Sequence, residues 1–333
     1  MHTNFLDDLN IAQKKAVEKT DGPVLIVAGP GSGKTRVITS RIAYLIQEQG
    51  VNPYNIAAVT FTNKAASEMK DRLSSMLGKN AERVTARTFH SFCSMILRRE
   101  GGVVGLDTDF VIFDDNDQME TVKKAMKDLD IDPKSFAPRN ILSRISNSKS
   151  QLIDSEKFIS QKSNYYDEVV GRVFENYETT LSQSNAADFD DLLMKTQNLF
   201  LNNPDILNKY QNRFVYLMVD EFQDTNIAQY SIARQIASTH RNLCVVGDPD
   251  QSIYSWRNAD IRNILSFRDD FPEATVVPLE ENYRSTQTIL EGARELISSN
   301  KERVEKNLWT RNSKGDLITV AEGYNEEEEA HLV

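Results

Sequence analysis

The chain has 333 residues, with 39 Lys and Arg against 49 Asp and Glu and a net charge of −10. Its length fits about two domains, and 40% hydrophobic with 26% charged residues is ordinary globular usage, which excludes wholesale disorder. No run of about 18 apolar residues marks a membrane span, MHTNFLDDLN is not a secretory signal, and Cys93 and Cys244 alone cannot build a disulfide framework, so a reducing, cytoplasmic setting fits.

Bulk acidity by itself disfavours a nucleic-acid partner, but the charge is regional. Residues 1–100 are net +5, 101–200 net −7, 201–300 net −5 and the remainder net −3.

In chain order, Val24 to Val27 predicts a buried strand ending in a Gly-rich turn. Thr35 to Gln47 follows as a helix with Val37, Ile38, Ile42, Leu45 and Ile46 on one side. Ile56 to Phe61 predicts a second strand with a helix over Lys64 to Leu77, and Val84 to Thr88 a third with a helix to Arg99. Strands alternating with helices predict a parallel α/β sheet. The pattern breaks at Gly101 to Gly105. Asn116 to Phe200 reads as helical, with no comparable strand run. Strand signals resume at Phe214 to Val219, Leu243 to Val246 and Thr275 to Val277. The simplest organisation is one α/β domain interrupted by a helical insertion of roughly 85 residues, longer than a connecting loop. The EEEEAHLV tail predicts a solvated helix start.

The strongest motif is AGPGSGKT, comprising Ala28, Gly29, Pro30, Gly31, Ser32, Gly33, Lys34 and Thr35, set between a strand and a helix. Glycines let the backbone wrap so that amide N–H groups point at phosphates, and the helix start adds partial positive charge there. Lys34 would reach the β- and γ-phosphates, and Thr35 would offer a hydroxyl to Mg²⁺. Ala28 stands where the usual pattern has Gly, a small departure because Gly29, Gly31 and Gly33 occupy the crowded positions. Such a loop needs a metal-holding carboxylate at the end of a neighbouring strand. FVYLMV followed by Asp220 and Glu221 supplies it, with Asp220 for Mg²⁺ and Glu221 as general base for an attacking water.

Around these residues, DEFQDTN (from Asp220), VVGDPDQSIYSWRNAD (from Val245) and LEENYRS (from Leu279) together resemble the UvrD/Rep/PcrA-type superfamily 1 DNA helicases. So do LNIAQKKAV (from Leu9), AVTFTNKAASEM (from Ala58), TFHSF (from Thr88) and DFDDLL (from Asp188). The seven motifs run in the family's order from residue 9 to about 290, and the DEFQD block separates the chain from DEAD-box helicases.

The resemblance implies a RecA-like P-loop domain, an inserted all-helical subdomain and the start of a second RecA-like domain. The divisions are 1–105 and 191–278 for the two parts of the first motor domain, 106–190 for the insertion and 279–333 for the opening of the second. It implies Gln13 as the adenine-reading glutamine, Tyr283 as the tyrosine on which adenine stacks, and Arg284 as an arginine reaching the γ-phosphate. Gln251 matches the γ-phosphate sensor; Arg36 is either a nucleotide contact or a surface arginine. Phe61, Tyr254 and Trp256 match positions that meet single-stranded bases. Every base has a π-face, so aromatic platforms grip DNA without reading sequence; the rival reading is that these aromatics, Phe61 above all, are core. Asn63, Thr88, His90 and Arg257 are expected at the DNA backbone or in coupling. No metal besides Mg²⁺ is suggested, because the His and Cys residues lack ligand spacing.

Family members of this type run to about twice this length, and neither their later DNA-coupling motif nor their late arginine motif follows residue 300. The expectation is therefore an ATP-driven single-strand translocase, 3′ to 5′ by resemblance, seen as an N-terminal portion that is weak or inactive alone. Expected partners are single-stranded DNA and duplex junctions, with accessory repair or replication proteins, for a monomer free of membranes. The alternatives are the helicase half of a helicase–nuclease and a non-motor DNA- or nucleotide-binding module.

Overall fold

A computed structural model describes residues 6–300, 304 and 306–333. Its first part comprises α1 (Ile11–Glu18), β1 (Val24–Ala28), α2 (Lys34–Gln47), β2 (Ile56–Thr60), α3 (Asn63–Leu77), β3 (Thr85–Thr88) and α4 (Phe89–Glu100). Then come β4 (Val111–Ile112), α5 (Asp115–Asp128), α6 (Pro138–Ser150), α7 (Ser155–Ser160), α8 (Tyr165–Gln183) and β5 (Ala186–Ala187). The chain returns through α9 (Phe189–Asn202), α10 (Pro204–Arg213), β6 (Tyr216–Val219), α11 (Ile227–Ala237) and β7 (Leu243–Gly247). It closes with α12 (Arg262–Leu265), α13 (Phe267–Asp270), β8 (Thr275–Leu279), α14 (Gln287–Ile297) and α15 (Glu326–Leu332).

Six strands form one parallel sheet in the order β3–β2–β6–β7–β1–β8. β1 and β7 are buried along their whole length, as a sheet covered on both faces requires. Alternate side chains serve opposite faces. Leu25 and Val27 join the apolar cluster under α4, α9 and α11, whereas Val24, Ile26 and Ala28 join the one under α1, α2 and α3. Register aligns Ala28 with Leu279 and Val59 with both Arg87 and Val219. The carboxyl ends of all six strands therefore meet at one edge, where open α/β sheets bind their ligands.

The excursion between α4 and α9 has its own core, built on Val122, Ile141, Ile145, Phe174 and Tyr177. A two-residue parallel ladder, β4 against β5, closes its base. That ladder is too short to show an alternation in sequence and was not expected there. Lys149, fully buried, anchors the insertion to α9 through Asp188 and Asp191, each at 2.8 Å, while the Tyr177 hydroxyl donates to Asp188 at 2.8 Å. Burial works against the lysine's charge, but the two carboxylates prevail and hold its pKa above the usual lysine value.

Two local differences from the sequence expectation matter. β2 stops at Thr60 because Thr62 caps α3, accepting from Ala65 N at 3.1 Å. Phe61 is thereby lifted out of the strand and is only partly buried. Beyond β8 the described residues form no second ladder, only an isolated parallel bridge between Glu281 and Trp309. The acidic tail is α15, whose glutamates occupy the first turn where they complement the helix N-terminus. Among the described residues no helix is long and apolar enough to cross a membrane.

Candidate nucleotide and nucleic-acid site

The loop from Gly29 to Gly33 leaves β1 and enters α2, whose first two residues are Lys34 and Thr35. Gly31 and Gly33 have φ of 67° and 85°, conformations that a side chain would strain. The Ser32 hydroxyl donates to Gly29 O at 2.7 Å and tightens the turn. Gln13, 1% exposed, donates from Nε2 to Ser32 O at 2.9 Å, while its Oε1 accepts from Asn10 N at 3.1 Å. The α1 capping box thus holds Gln13 directly against the loop.

Lys34 Nζ lies 3.0 Å from Glu221 Oε2, a contact between the first residue of α2 and the turn after β6. Glu221 sits at φ 48°, a left-handed conformation uncommon for a non-glycine residue and frequent at functional turns. Asp220 is buried, and its Oδ1 accepts from Glu221 N at 2.9 Å. Burial first, then the Glu221 charge, pushes Asp220 up to about 7. The Asp220 carboxylate and the Thr35 hydroxyl are oxygen donors of the kind a hard divalent ion takes, although among the described residues no group of three or more acidic, His or Cys side chains is gathered for a metal. Thr35 is partly exposed at the start of α2. Arg36 is exposed and lies 3.6 Å from Asp8.

Behind the acid pair stands Gln223, 1% exposed, which sequence reasoning did not single out. Its Nε2 donates to Glu221 Oε2 and Asp224 Oδ2, both at 3.0 Å, and its Oε1 accepts from Asp248 N at 2.9 Å. Gln251 donates from Nε2 to Asp248 Oδ2 at 2.6 Å.

LEENYRS docks on the loop itself. Asn282 Nδ2 donates to Pro30 O at 2.6 Å and Tyr283 N donates to Gly31 O at 3.0 Å. Tyr283 is 48% exposed, and its hydroxyl donates to Glu281 Oε2 at 2.8 Å and accepts from Asn10 Nδ2 at 2.7 Å. Asn10 therefore ties together Gln13 and Tyr283. Arg284 is exposed, with its Cβ beside Gly31. Asn282, Asn10 and Glu281 are further residues missed as site residues, although all three lie inside motifs already quoted.

At neighbouring strand ends three aromatics form a row. The Phe61 and Tyr254 ring centres are 4.8 Å apart at 34°, and those of Tyr254 and Trp256 are 6.0 Å apart at 49°. Trp256 is 69% exposed, which rules out a core role. The Arg257 side chain lies outside the described residues. Phe61 and His90 line both of two adjoining grooves. One, of about 790 Å³, also carries Asn63, Thr88, Arg87, Arg98 and Arg99; the other reaches Trp256. The Thr88 hydroxyl caps α4, accepting from Ser91 N at 3.2 Å, and Asn63 opens α3 in the solvent. Phe189, 44% exposed, meets His90 edge-on at 5.9 Å and also faces both grooves. It sits in the quoted DFDDLL, where an exposed aromatic after an N-cap was the available signal. Burial lowers the His90 pKa to about 4, so its ring is neutral at ordinary pH.

A phosphate loop, an acid pair and an aromatic row on one sheet edge define a P-loop motor domain of the helicase class. The family model of the UvrD/REP helicase N-terminal domain matches residues 9–272, and that of the UvrD-like helicase C-terminal domain matches residues 277–333. The chain belongs to the UvrD/REP helicase family. It is 50% identical over 329 residues to the ATP-dependent DNA helicase PcrA of Staphylococcus aureus, covering 99% of this chain and 45% of that protein. It is 51% identical over 329 residues to PcrA of Bacillus subtilis, covering 99% and 44% respectively. The chain thus spans less than half the length of these curated relatives.

Proposed function

We propose that the chain is the ATP-binding portion of a PcrA-like DNA helicase that moves 3′ to 5′ on single strands. The observation that carries this is the Lys34–Glu221 contact at 3.0 Å with Asp220 buried behind it, on the same sheet edge as the Phe61–Tyr254–Trp256 row. Lys34 and the loop amides from Gly29 to Thr35 would hold the phosphates, with Gln13 and Tyr283 on the base. Asp220 and the Thr35 hydroxyl would hold Mg²⁺, which neutralises phosphate charge when bound. Glu221 would release Lys34, orient water and accept its proton. Arg284 would add positive charge from the far side, and Arg36, if it leaves Asp8, would do so at the rim. Gln251 leads in three and five positions to Tyr254 and Trp256, a short covalent route from nucleotide to base platforms. Asn63, Thr88, His90 and Arg257 would serve the DNA backbone.

We read the partners as single-stranded DNA and duplex junctions, with accessory proteins of repair or replication, for a monomer acting in the cytoplasm. Facing the phosphate loop are α14, residues 280–285 and residues 306–309, with no ladder of their own among the described residues. That supports low turnover by this polypeptide alone. Calorimetric titration with MgATP, and fluorescence titration with an oligothymidylate, test the reading. Binding of both is expected, with slow hydrolysis; failure to bind MgATP sinks it, and DNA-stimulated turnover equal to that of the longer relatives sinks the low-activity part.

A further inference from the structure

Lys306 lies beyond α14, in the stretch matched by the C-terminal family model. Its side chain is 1% exposed. The ammonium meets Asp248 Oδ1, and Asp250 Oδ2 at 2.9 Å. An ammonium gives up water only for partners of this kind. The neighbouring residues are pinned as well. Asn307 N donates to Glu280 Oε1 and Trp309 N to Glu280 O, at 2.9 and 3.0 Å, and Leu308 packs on Gly29 of the phosphate loop.

Asp248 is a hub. It is completely buried, and its carboxylate and amide each have partners. Oδ1 takes Lys306 and the Asp250 amide, Oδ2 takes Gln251 Nε2 at 2.6 Å, and its amide donates to Gln223 Oε1. Gln223 then reaches Glu221 Oε2, the oxygen that pairs with Lys34. An unbroken line of polar contacts therefore joins Lys306 to the phosphate-loop lysine. A cavity of about 230 Å³, lined by Gln251, Leu290, Ile297 and Leu308, gives Gln251 somewhere to go if Asp248 moves.

We infer that Lys306 is a positioning residue for ATP hydrolysis: by neutralising Asp248 and Asp250 it fixes the carboxylate that orients Gln251, and so ties the C-terminal segment to the catalytic end. Without the ammonium, the Asp248 and Asp250 carboxylates lose the cation between them, and their mutual repulsion shifts one or both side chains. Such a shift removes the fixed acceptor of Gln251 while leaving the Gly29–Gly33 loop intact. The inference rests on the ATP-motor reading.

The test compares the 333-residue chain with its Lys306→Met, Lys306→Arg and Asp248→Asn variants, by amide hydrogen exchange and by ATP hydrolysis kinetics. In Lys306→Met, amides from Asp248 to Gln251 should exchange about tenfold faster or more, those of β1 and β2 staying protected. Its kcat should fall about tenfold with KM within about twofold, the mark of a group acting in the transition state. Lys306→Arg should recover much of both, and Asp248→Asn should resemble Lys306→Met in kcat. Unchanged exchange at 248–251 in Lys306→Met overturns the inference. So does a general loss of protection across the sheet without rescue by arginine, which marks Lys306 as merely structural. If the parent chain binds no MgATP, the motor reading fails, and the exchange comparison still decides whether Lys306 fixes Asp248.

Discussion

The two ends of the sheet edge are built on opposite physics. At the nucleotide end, Lys34, Asp220, Gln223 and Asp248 are largely withdrawn from water and joined by hydrogen bonds of 2.9–3.0 Å. At the trench end, Phe61, Tyr254, Trp256 and Phe189 offer faces to solvent, and the cations beside them are spread along a groove. The first arrangement is a network in which each group depends on the next. The second is a set of platforms, each adding its own share. Substitutions should therefore be severe and specific at one end, and graded at the other.

The largest effect is expected from Glu221→Gln. It keeps the side chain's shape and removes the proton acceptor, so turnover should fall about 10²–10⁴-fold while MgATP still binds. Single-turnover hydrolysis beside calorimetric titration measures the split; a matching loss of binding would show that Glu221 holds the loop rather than the water. Next is Lys34→Ala, which removes the charged donor aimed at phosphate. Affinity for MgATP should drop roughly a hundredfold or more, with the thermal midpoint near that of the parent because the apolar clusters are untouched. An unchanged titration would refute the loop assignment.

At the other end, Trp256→Ala should weaken oligothymidylate binding by about 1–3 kcal/mol and leave MgATP affinity within error. Phe189→Ala should do the same by a smaller amount, because half of its ring is already against protein. If either variant lost nucleotide and DNA binding together, the trench would be part of the network and the contrast between the ends would disappear.

The same contrast explains what the sequence discloses. Phosphate chemistry demands particular residue types in an unbroken run, so the loop at 28–35 and the acids at 220–221 are visible without coordinates. The alternating clusters under β1 likewise follow from the period of a strand. Supporting contacts are not contiguous: Asn282 reaches Pro30 across 252 positions, and Lys306 reaches Asp248 across 58. No local pattern announces such pairs. Phe61 sits in an apolar run that promises burial, and only the Thr62 cap that ends β2 turns it outward. The β4–β5 ladder is invisible because two residues cannot display an alternation.

The smallest effect, and the finest probe of the comparison, concerns His90. Burial lowers its pKa from 6.5 to about 4, and Phe189 stands edge-on to the ring at 5.9 Å. In the unfolded chain the imidazole takes up a proton as pH falls through its ordinary value, whereas the folded one refuses it until much lower pH. The unfolded state then binds more protons, so stability should decline as pH drops from 6.5 toward 4. Urea unfolding at stepped pH should show that decline in the parent and a shallower one in His90→Gln. A neutral ring also predicts that oligothymidylate affinity, at fixed ionic strength, does not titrate through His90 over roughly pH 6 to 8. An affinity that rises on acidification in the parent, but not in His90→Gln, would mean that the trench grips phosphate with a histidine cation. The platform end would then share the charge-based physics of the nucleotide end, and grading by exposed aromatic surface alone would fail.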